Sequence, residues 1–395
     1  MKILVVLPRF PYPLEKGDKL RAYHQIVELS KRHEIYLFCV SHTKVSDEQR
    51  AALEPYCKDI RIVHLNRVIC WVNIIRNWFS SKSLQMGYWN TAHSKHVCRN
   101  FAREVKPDIV YNQMVRTMPL VARLPYPKVM DYQDALSMNT ERRMEHSHGL
   151  WHYILHFEFK MLRSSEYKAF SIFDALTIIS DVDSEAIPHK KNGEIRIIPN
   201  GVDFDYFSAS HDTQPITHSI AFCGNMSYSP NVDAARYLIN EVMPIVWKEL
   251  PNATVLLAGA DPKQAVRALA SDNVTVSGHL ADIREAYASA QIFVAPMRLG
   301  SGLQNKLLEA MSMQVPCVTT SLANAALGAT PHEQLLLGDT PAQLAECIIQ
   351  MLRSEELRNR IAAKGYQYVH EHFSWPAAVQ PLENIFNAIL AQQKR

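Results

Sequence analysis

Short apolar runs alternate along the chain with longer segments whose apolar residues recur every three or four positions. The apolar runs predict strands, and the periodic segments predict helices. In the first half the predicted strands are 3–7, 34–40, 59–65, 108–112, 128–131, 175–180 and 195–198. Alternation of strands and helices in this way predicts a doubly wound parallel sheet.

The pattern is interrupted near residues 199–218, where Pro, Gly and polar residues accumulate, and then restarts. The second half has predicted strands at 219–222, 254–258, 274–277, 292–296 and 315–319, again alternating with helices. A chain of 395 residues is longer than a single core usually supports. We therefore expect an α/β fold of two doubly wound Rossmann-like domains facing each other across a cleft. The expected domains are 1–205 and 206–372, and a helix in 373–395 is expected to cross back to the first domain.

Composition narrows the class of protein. Hydrophobic residues make up 47% of the chain and charged residues 21%, which is typical of a globular protein. The seven cysteines show no zinc-type or disulfide-type spacing and fit buried thiols in a reducing compartment. The first apolar run is too short for a signal peptide, and no stretch approaches the roughly 18 apolar residues of a spanning helix. These features predict a cytoplasmic protein.

Charge is unevenly distributed. Residues 1–200 hold 29 Lys and Arg against 21 Asp and Glu, whereas residues 201–395 hold 13 against 18. The stretch 60–103 has seven basic residues and no acidic one. A basic first half predicts contact with something anionic, such as lipid headgroups or a lipid-linked phosphate. No nucleic-acid-binding module is recognisable, so nucleic acid is not an expected partner.

Residues 67–79 lie in this basic stretch and predict an amphipathic helix with Trp71, Ile74, Ile75 and Trp78 on one face. Basic helices with tryptophans bind the interfacial region of membranes. Packing in the core or against another subunit is the alternative. The helix therefore indicates that the protein binds peripherally to an anionic membrane, the inner face of the plasma membrane.

A glycine-containing turn at 298–302 joins a buried strand to a predicted helix that contains Lys306 and Glu309. Such turns bring backbone N–H groups close to an anion at the positive end of a helix dipole. A nearby cation and carboxylate suit a phosphorylated ligand with hydroxyls, which is what a nucleotide sugar offers. A capped helix with an ordinary Lys–Glu pair is the alternative.

Two loops of the first half also follow strands, where ligands of doubly wound sheets bind. Gly17 lies in the proline-rich loop 8–18, and its backbone could approach a phosphate or sugar; a simple turn glycine is the alternative. Asp131 and Asp134 could bind acceptor hydroxyls or act as a base. A strand-end residue and a helix cap are the alternatives for these two aspartates.

Five segments taken together resemble a known family: residues 8–13 with 16–21, 198–203, 222–233, 278–282 and 302–311. They resemble the GT-B-fold retaining glycosyltransferases of family four, in particular sugar transferases associated with exopolysaccharide synthesis. The resemblance covers essentially the whole chain. It implies a donor-binding second domain and an acceptor-binding first domain.

The resemblance implies roles for individual residues. Catalysis is expected to depend on Lys306, which stabilises the leaving diphosphate, and on Glu309, which holds the donor ribose. The implied diphosphate site consists of Gly17, Arg298, Gly300, Gly302 and Lys306. The implied nucleotide site consists of Gly224, Asn225, His279, Leu280 and Glu309. The acceptor is expected at Asp18, Arg21, Asp131, Gln133 and Asp134.

The chain departs from the family pattern at three places. Ser301 replaces the glutamate that usually precedes Glu309 by eight positions, and residues 224–233 lack the usual Arg and Lys. Gln133 replaces a frequent histidine, so a histidine role is not carried over. The resemblance implies retention at the anomeric carbon without a metal or other cofactor. Asp181 and Asp183 have metal-type spacing, but helix capping explains them.

Two other functions are consistent with the pattern: a nucleotide-sugar epimerase on the same fold, and a non-catalytic protein that binds a nucleotide or a membrane. A dehydrogenase is disfavoured, because no Gly-x-Gly-x-x-Gly follows an early strand.

Overall fold

A computed structural model describes residues 1–14, 17–145, 147–208, 217–299 and 302–393. The chain divides into two units, the first comprising Met1–Pro199 and the chain from Ala378 onward, and the second Asn200–Ala377. The boundaries expected from the sequence lie at 205/206 and 372/373. In the part of the chain that the structure describes, no helix is long and apolar enough to cross a membrane.

The first unit is built on a parallel sheet of seven strands in the described residues, in the order β3-β2-β1-β4-β5-β6-β7. The strands are β1 (Lys2–Leu7), β2 (Glu34–Ser41), β3 (Asp59–His64), β4 (Ile109–Gln113), β5 (Lys128–Asp131), β6 (Ala175–Ile178) and β7 (Arg196–Ile197). The helices are α1 (Gly17–Ser30), α2 (Asp47–Ala51), α3 (Arg67–Phe79), α4 (Leu84–Trp89), α5 (Ala92–Val105), α6 (Met118–Val121), α7 (Leu136–Glu145), α8 (Gly149–Ala169) and α9 (Asp181–Ala186).

The second unit has six described strands in one parallel sheet, in the order β10-β9-β8-β11-β12-β13. They are β8 (His218–Cys223), β9 (Val255–Ala258), β10 (Val274–Gly278), β11 (Ala290–Ala295), β12 (Cys317–Thr319) and β13 (Leu336–Leu337). The helices are α10 (Ser229–Tyr237), α11 (Met243–Glu249), α12 (Gln264–Arg267), α13 (Arg284–Ala288), α14 (Asn305–Ser312), α15 (Ser321–Asn324), α16 (Pro341–Arg353) and α17 (Glu355–Phe373). A π-helical segment, Leu238–Val242, joins α10 to α11.

The central strands of both sheets are buried on both faces, which is why they appear as continuous apolar runs in the sequence. Every residue of β4 and of β9 is buried. The prediction of two Rossmann-like α/β halves with parallel sheets is confirmed.

The C-terminal helix α18 (Trp375–Gln393) contributes its later residues to the first unit. Phe386 is fully buried there, with its ring 5.5 Å from that of Tyr111. Glu383 accepts hydrogen bonds from Arg32 at 2.5 and 3.0 Å and lies 2.7 Å from the ring nitrogen of His33. This part of α18 therefore belongs to the core of the first unit.

Candidate active site

The sheet order of the second unit reverses at β8, which lies between β9 and β11. In doubly wound sheets, ligands bind in the crevice at the carboxyl ends of the strands where the order reverses. The chain leaves β8 at Gly224 and leaves β11 toward α14. We therefore expect a ligand of the second unit to bind between the turn after β8 and the start of α14.

Lys306 lies in the first turn of α14, directly at this crevice. Gly302 precedes the helix with a φ of +100°, a backbone conformation that favours glycine. The ammonium of Lys306 donates to Oδ1 of Asn231 at 2.5 Å and lies 4.8 Å from the centroid of the Phe222 ring. Burial lowers the pKa of Lys306 to about 8, and the charge of Glu309 opposes this shift. The site thus presents a half-buried cation to an amide oxygen.

Glycines at the ends of β8 and β9 make room for this arrangement. A Cβ on Gly224 would lie 2.6 Å from Nδ2 of Asn231 and 3.2 Å from Nζ of Lys306. Gly259 has a φ of +142°, and a Cβ there would lie 1.8 Å from the carbonyl oxygen of Gly224. No side chain can be added at Gly259 without moving the backbone of the β8 turn. The two glycines let the two strand ends and Lys306 approach closely.

Glu309 lies one turn after Lys306 and is held by a tyrosine. The hydroxyl of Tyr287 donates to Oε2 of Glu309 at 2.6 Å. Burial raises the pKa of Glu309, while the Tyr287 hydrogen bond and the charge of Lys306 oppose the shift. Tyr287 is fully buried, so it fixes the carboxyl group on the inner side of the crevice.

Arg298, the other cation expected at the diphosphate, has carboxylate partners. Its guanidinium pairs with Asp233 at 2.9 Å and with Glu241 at 3.4 Å, and it lies 4.0 Å from the centroid of the Tyr237 ring. These contacts raise its pKa, chiefly through the Asp233 hydrogen bond. Arg298 therefore has its charge balanced by the protein, whereas the hydrogen bond of Lys306 goes to a neutral amide.

The remaining expected nucleotide residues lie at the ends of neighbouring strands. Gly278 ends β10 with a φ of +71°, followed by the exposed His279 and the half-buried Leu280. Asn225 follows Gly224, and its Oδ1 accepts from the backbone N–H and the hydroxyl of Ser227 at 2.8 and 2.6 Å. The Asn225 side chain thus shapes the turn after β8. Gly300 lies outside the described residues.

In the first unit, the loop after β1 leads into α1 at Gly17. Space is open where a Cβ of Gly17 would be, so steric crowding does not require glycine there. Asp18 pairs with Arg9 at 2.9 Å.

Two expected acceptor residues are instead part of the core. Nε of Arg21 donates to Oδ2 of Asp131 at 2.7 Å, and both side chains are no more than 1% exposed. The hydroxyl of Tyr111 donates to the same carboxylate oxygen at 2.9 Å, and Arg21 also donates to the carbonyl of Pro199. Arg21 and Asp131 form a buried ion pair that joins α1 to β5, and their role in acceptor binding stays a prediction.

Gln133 and Asp134 follow β5 at the carboxyl edge of the sheet. Gln133 has a φ of +64° and donates to Oε1 of Gln113 at 3.0 Å. Asp134 accepts from Asn139 at 2.7 Å. Burial, and secondarily the charge of Asp183, raises the pKa of Asp134 to about 6. A carboxyl group with a pKa in this range is suited to proton transfer near neutral pH.

Asn231 and Tyr287 are site residues that the sequence analysis did not assign. Both act on a charged group of α14, yet Asn231 is 75 positions from Lys306 and Tyr287 is 22 positions from Glu309. Asn231 does lie within the recognised segment 222–233, which is the one signal that could have indicated it. Within the described ranges, no group of three or more His, Cys, Asp or Glu side chains could hold a metal ion.

The two parallel-sheet halves have the GT-B fold found in solved glycosyltransferase structures. Residues 217–354 match the family described as "Glycosyl transferases group 1". These residues form a group 1 glycosyltransferase domain, and the chain is a glycosyltransferase enzyme.

Two relatives are similar to this chain in sequence. The chain is 21% identical over 392 residues to an uncharacterized 44.6 kDa protein in the cps region of Klebsiella pneumoniae, covering 94% of this chain and 96% of the relative. It is 29% identical over 125 residues to the capsular polysaccharide biosynthesis glycosyltransferase CapM of Staphylococcus aureus, covering 31% and 32% of the two chains.

Among solved structures, sucrose-phosphate synthase of Thermosynechococcus elongatus has a TM-score of 0.70 at 14% identity, with 99% of this chain and 100% of that chain covered. Anabaena Alr3699/HepE in complex with UDP-glucose has a TM-score of 0.67 at 15% identity, with 98% and 100% covered. At these identities the structures show a shared fold.

Proposed function

We propose that this enzyme transfers a sugar from a nucleoside-diphosphate donor to a glycan or lipid-linked acceptor in the synthesis of a surface polysaccharide. Two observations about relatives support the pathway: one similar protein is from a cps region, and another is a capsular polysaccharide glycosyltransferase. The structural neighbour solved with UDP-glucose supports a nucleotide sugar as donor.

The observation that carries the proposal is the environment of Lys306. Its ammonium is half-buried at the start of α14, bonded to a neutral amide and flanked by glycine turns. A buried cation without a bound carboxylate is costly, and a diphosphate would supply the missing negative charge. Backbone N–H groups at the start of α14 add to this attraction. We assign the donor diphosphate to Lys306, Gly302 and the first turn of α14.

Glu309 is assigned to the ribose of the donor. A carboxylate accepts hydrogen bonds from two adjacent hydroxyls, and Tyr287 holds this one in place from the inner side. Gly224, His279 and Leu280 are assigned to the space around the nucleoside, at the ends of β8 and β10.

The proposed reaction retains the configuration at the anomeric carbon and uses no metal. The bond between this carbon and the diphosphate oxygen breaks, and its electron pair leaves with the diphosphate, where Lys306 and the helix amides stabilise the charge. The acceptor hydroxyl attacks from the same face and gives its proton to the departing phosphate oxygen. In the first unit, Gln133 and Asp134 are the proposed acceptor residues, and we place the enzyme at the inner face of the plasma membrane.

Transfer assays test this proposal. The purified enzyme is incubated with each of a set of radiolabelled UDP-, GDP-, ADP- and dTDP-sugars and with a membrane lipid extract that supplies the acceptor. We expect one donor to label the lipid or glycan fraction, with the donor's anomeric configuration kept in the product, as read by NMR coupling constants. Conversion of a nucleotide sugar into its epimer without any acceptor would contradict transfer and favour an epimerase.

A further inference from the structure

Helix α3 is oriented with its apolar side toward solvent. Val68, Trp71, Val72, Ile75 and Phe79 are 57–83% exposed. Its buried residues are instead Cys70, Asn73 and Asn77. A helix that packs on a core normally buries its apolar stripe, so this helix is reversed relative to the usual pattern.

Polar contacts explain how α3 is held in this orientation. Asn73 donates to the carbonyl of Asn90 at 3.2 Å, and Asn77 donates to the carbonyl of Ser83 at 2.8 Å. Helix α4 approaches closely at Gly87, where a Cβ would lie 2.7 Å from Nδ2 of Asn77. The inner side of α3 is therefore satisfied by hydrogen bonds and close packing, and among the described residues its apolar outer side has no partner.

Helix α8 extends the exposed apolar area. Leu150, Trp151 and Tyr153 in its first turns are 76%, 54% and 70% exposed. The rings of Trp78 and Phe157 lie 4.6 Å apart and connect α3 to α8. Of the sixteen exposed large hydrophobic side chains in the described residues, eleven lie on these two helices. The apolar exposure is therefore concentrated on one part of the first unit, which we call the α3–α8 surface.

A buried carboxylate fixes the helices of this surface to one another. Glu158 of α8 accepts from the hydroxyl of Ser83 and the backbone N–H of Leu84, both at 2.7 Å. These are the N-cap and first residue of α4, which packs against α3. The α3–α8 surface is thus pre-formed, and its exposed side chains stand on anchored helices.

Basic residues accompany the α3–α8 surface. Residues 60–103, which include α3, contain seven Lys and Arg and no acid. The pKa of Lys95 is lowered, first by burial and then by the positive charges of Arg76, Lys82 and Arg123. Apolar side chains beside clustered cations are complementary to a surface with an apolar interior and anionic headgroups.

We propose that the α3–α8 surface is the membrane-docking surface of this enzyme, with tryptophan and aliphatic side chains inserted among anionic phospholipids. A second copy of the chain is a poorer fit, because a symmetric contact through α3 would place these clustered cations against their own copies. The inference concerns a different surface from the donor site and does not require the proposed sugar transfer.

Vesicle co-sedimentation of the full-length protein tests this inference. The vesicles contain phosphatidylcholine alone or with about one-third phosphatidylglycerol. We expect binding to anionic vesicles to exceed binding to neutral ones by at least about 10-fold, and to weaken with added salt. The double variant Trp71→Ser/Phe79→Ser should bind at least about 10-fold more weakly, because it removes two inserted side chains. These side chains are exposed, so the variant should keep the wild-type thermal midpoint.

Charge variants give a second test with matched controls. Arg67→Gln/Arg76→Gln/Lys82→Gln should reduce binding to anionic vesicles by about 10-fold or more. Lys248→Gln/Lys263→Gln/Arg360→Gln removes the same charge from exposed positions of the second unit and should leave binding unchanged. Leu322→Ser/Val182→Ser is the corresponding control for exposed apolar residues.

Three outcomes would overturn the inference: no binding of the wild type to anionic vesicles, equal binding of the α3 variants, or a dimer in sedimentation analysis that the Trp71→Ser/Phe79→Ser variant dissociates. The last outcome would assign the surface to a second copy. Titration with nucleoside diphosphates separates the two proposals. Vesicle binding without nucleotide binding would support the docking surface and contradict the donor site. Nucleotide binding without vesicle binding would support the donor site and contradict the docking surface.

Discussion

The ammonium of Lys306 and the side-chain oxygen of Asn231 lie 2.5 Å apart in the crevice between β8 and α14. The partner of a half-buried lysine is more often a carboxylate than an amide. Here the neutral partner orients the cation without neutralising it, so the charge remains available to a ligand.

Asn231→Asp should weaken nucleoside-diphosphate binding. The new carboxylate would pair with Lys306, raise its pKa and repel the diphosphate, and we expect a loss in affinity of about 10- to 100-fold. Isothermal titration calorimetry measures the affinity. Asn240→Asp adds the same charge at an exposed position of the adjoining π-helical segment and should have little effect. Equal losses in both variants would indicate a general charge effect instead.

Donor binding should depend on pH through Lys306. Burial lowers the pKa of this lysine to about 8, so its charge is lost as the pH rises through that value. We expect nucleoside-diphosphate affinity to fall about 10-fold between pH 7 and pH 9. Lys306→Arg keeps its charge over this range and should flatten the profile. In the unliganded protein the lowered pKa costs stability below about pH 8, and this cost disappears as the pH rises toward 10.5.

Glu309→Gln should separate nucleoside recognition from diphosphate recognition. The amide oxygen can still accept from Tyr287, but the charge that attracts the ribose hydroxyls is removed. We expect nucleoside-diphosphate affinity to fall about 10-fold, while inorganic pyrophosphate binds as in the wild type. Competition titrations with the two ligands measure this difference. Equal losses for both ligands would show that Glu309 acts on the diphosphate or on the fold.

Two glycines should respond differently to alanine. At Gly259 a Cβ would lie 1.8 Å from the oxygen of Gly224 on a backbone with φ of +142°. Gly259→Ala should therefore lower the free energy of unfolding of the second unit by about 3 kcal/mol or more. At Gly17 the space is open, and Gly17→Ala should change stability by no more than about 0.5 kcal/mol. Urea unfolding checks both values; a stable Gly259→Ala variant would show that the β8 turn can move.

The fold could be predicted from the sequence because each buried parallel strand corresponds to an apolar run between turn residues. Strands β1, β4 and β9 are buried along nearly their whole length and were predicted within a residue of their observed ends. Strand β13 has two residues, Leu336 and Leu337, and is too short to produce a pattern.

Long-range side-chain partners could not be predicted in the same way. Arg21 and Asp131 are separated by 110 positions, and nothing local distinguishes a buried ion pair from two ligand-binding residues at strand ends. The orientation of α3 also could not be predicted from the hydrophobic periodicity of the sequence. Its periodicity indicates an amphipathic helix, but only the contacts of Asn73 and Asn77 show that the polar side is the buried one.

The central claim, that Lys306 marks the diphosphate site of a nucleotide-sugar donor, is tested most directly by calorimetric titration of the enzyme with UDP, GDP, ADP and dTDP. The wild type is compared with Lys306→Met and with Lys263→Met, which removes an exposed lysine of the same unit. We predict that one nucleoside diphosphate binds the wild type and Lys263→Met equally well, and binds Lys306→Met at least about 100-fold more weakly. Unchanged affinity in Lys306→Met, or no binding of any of the four to the wild type, would contradict the claim.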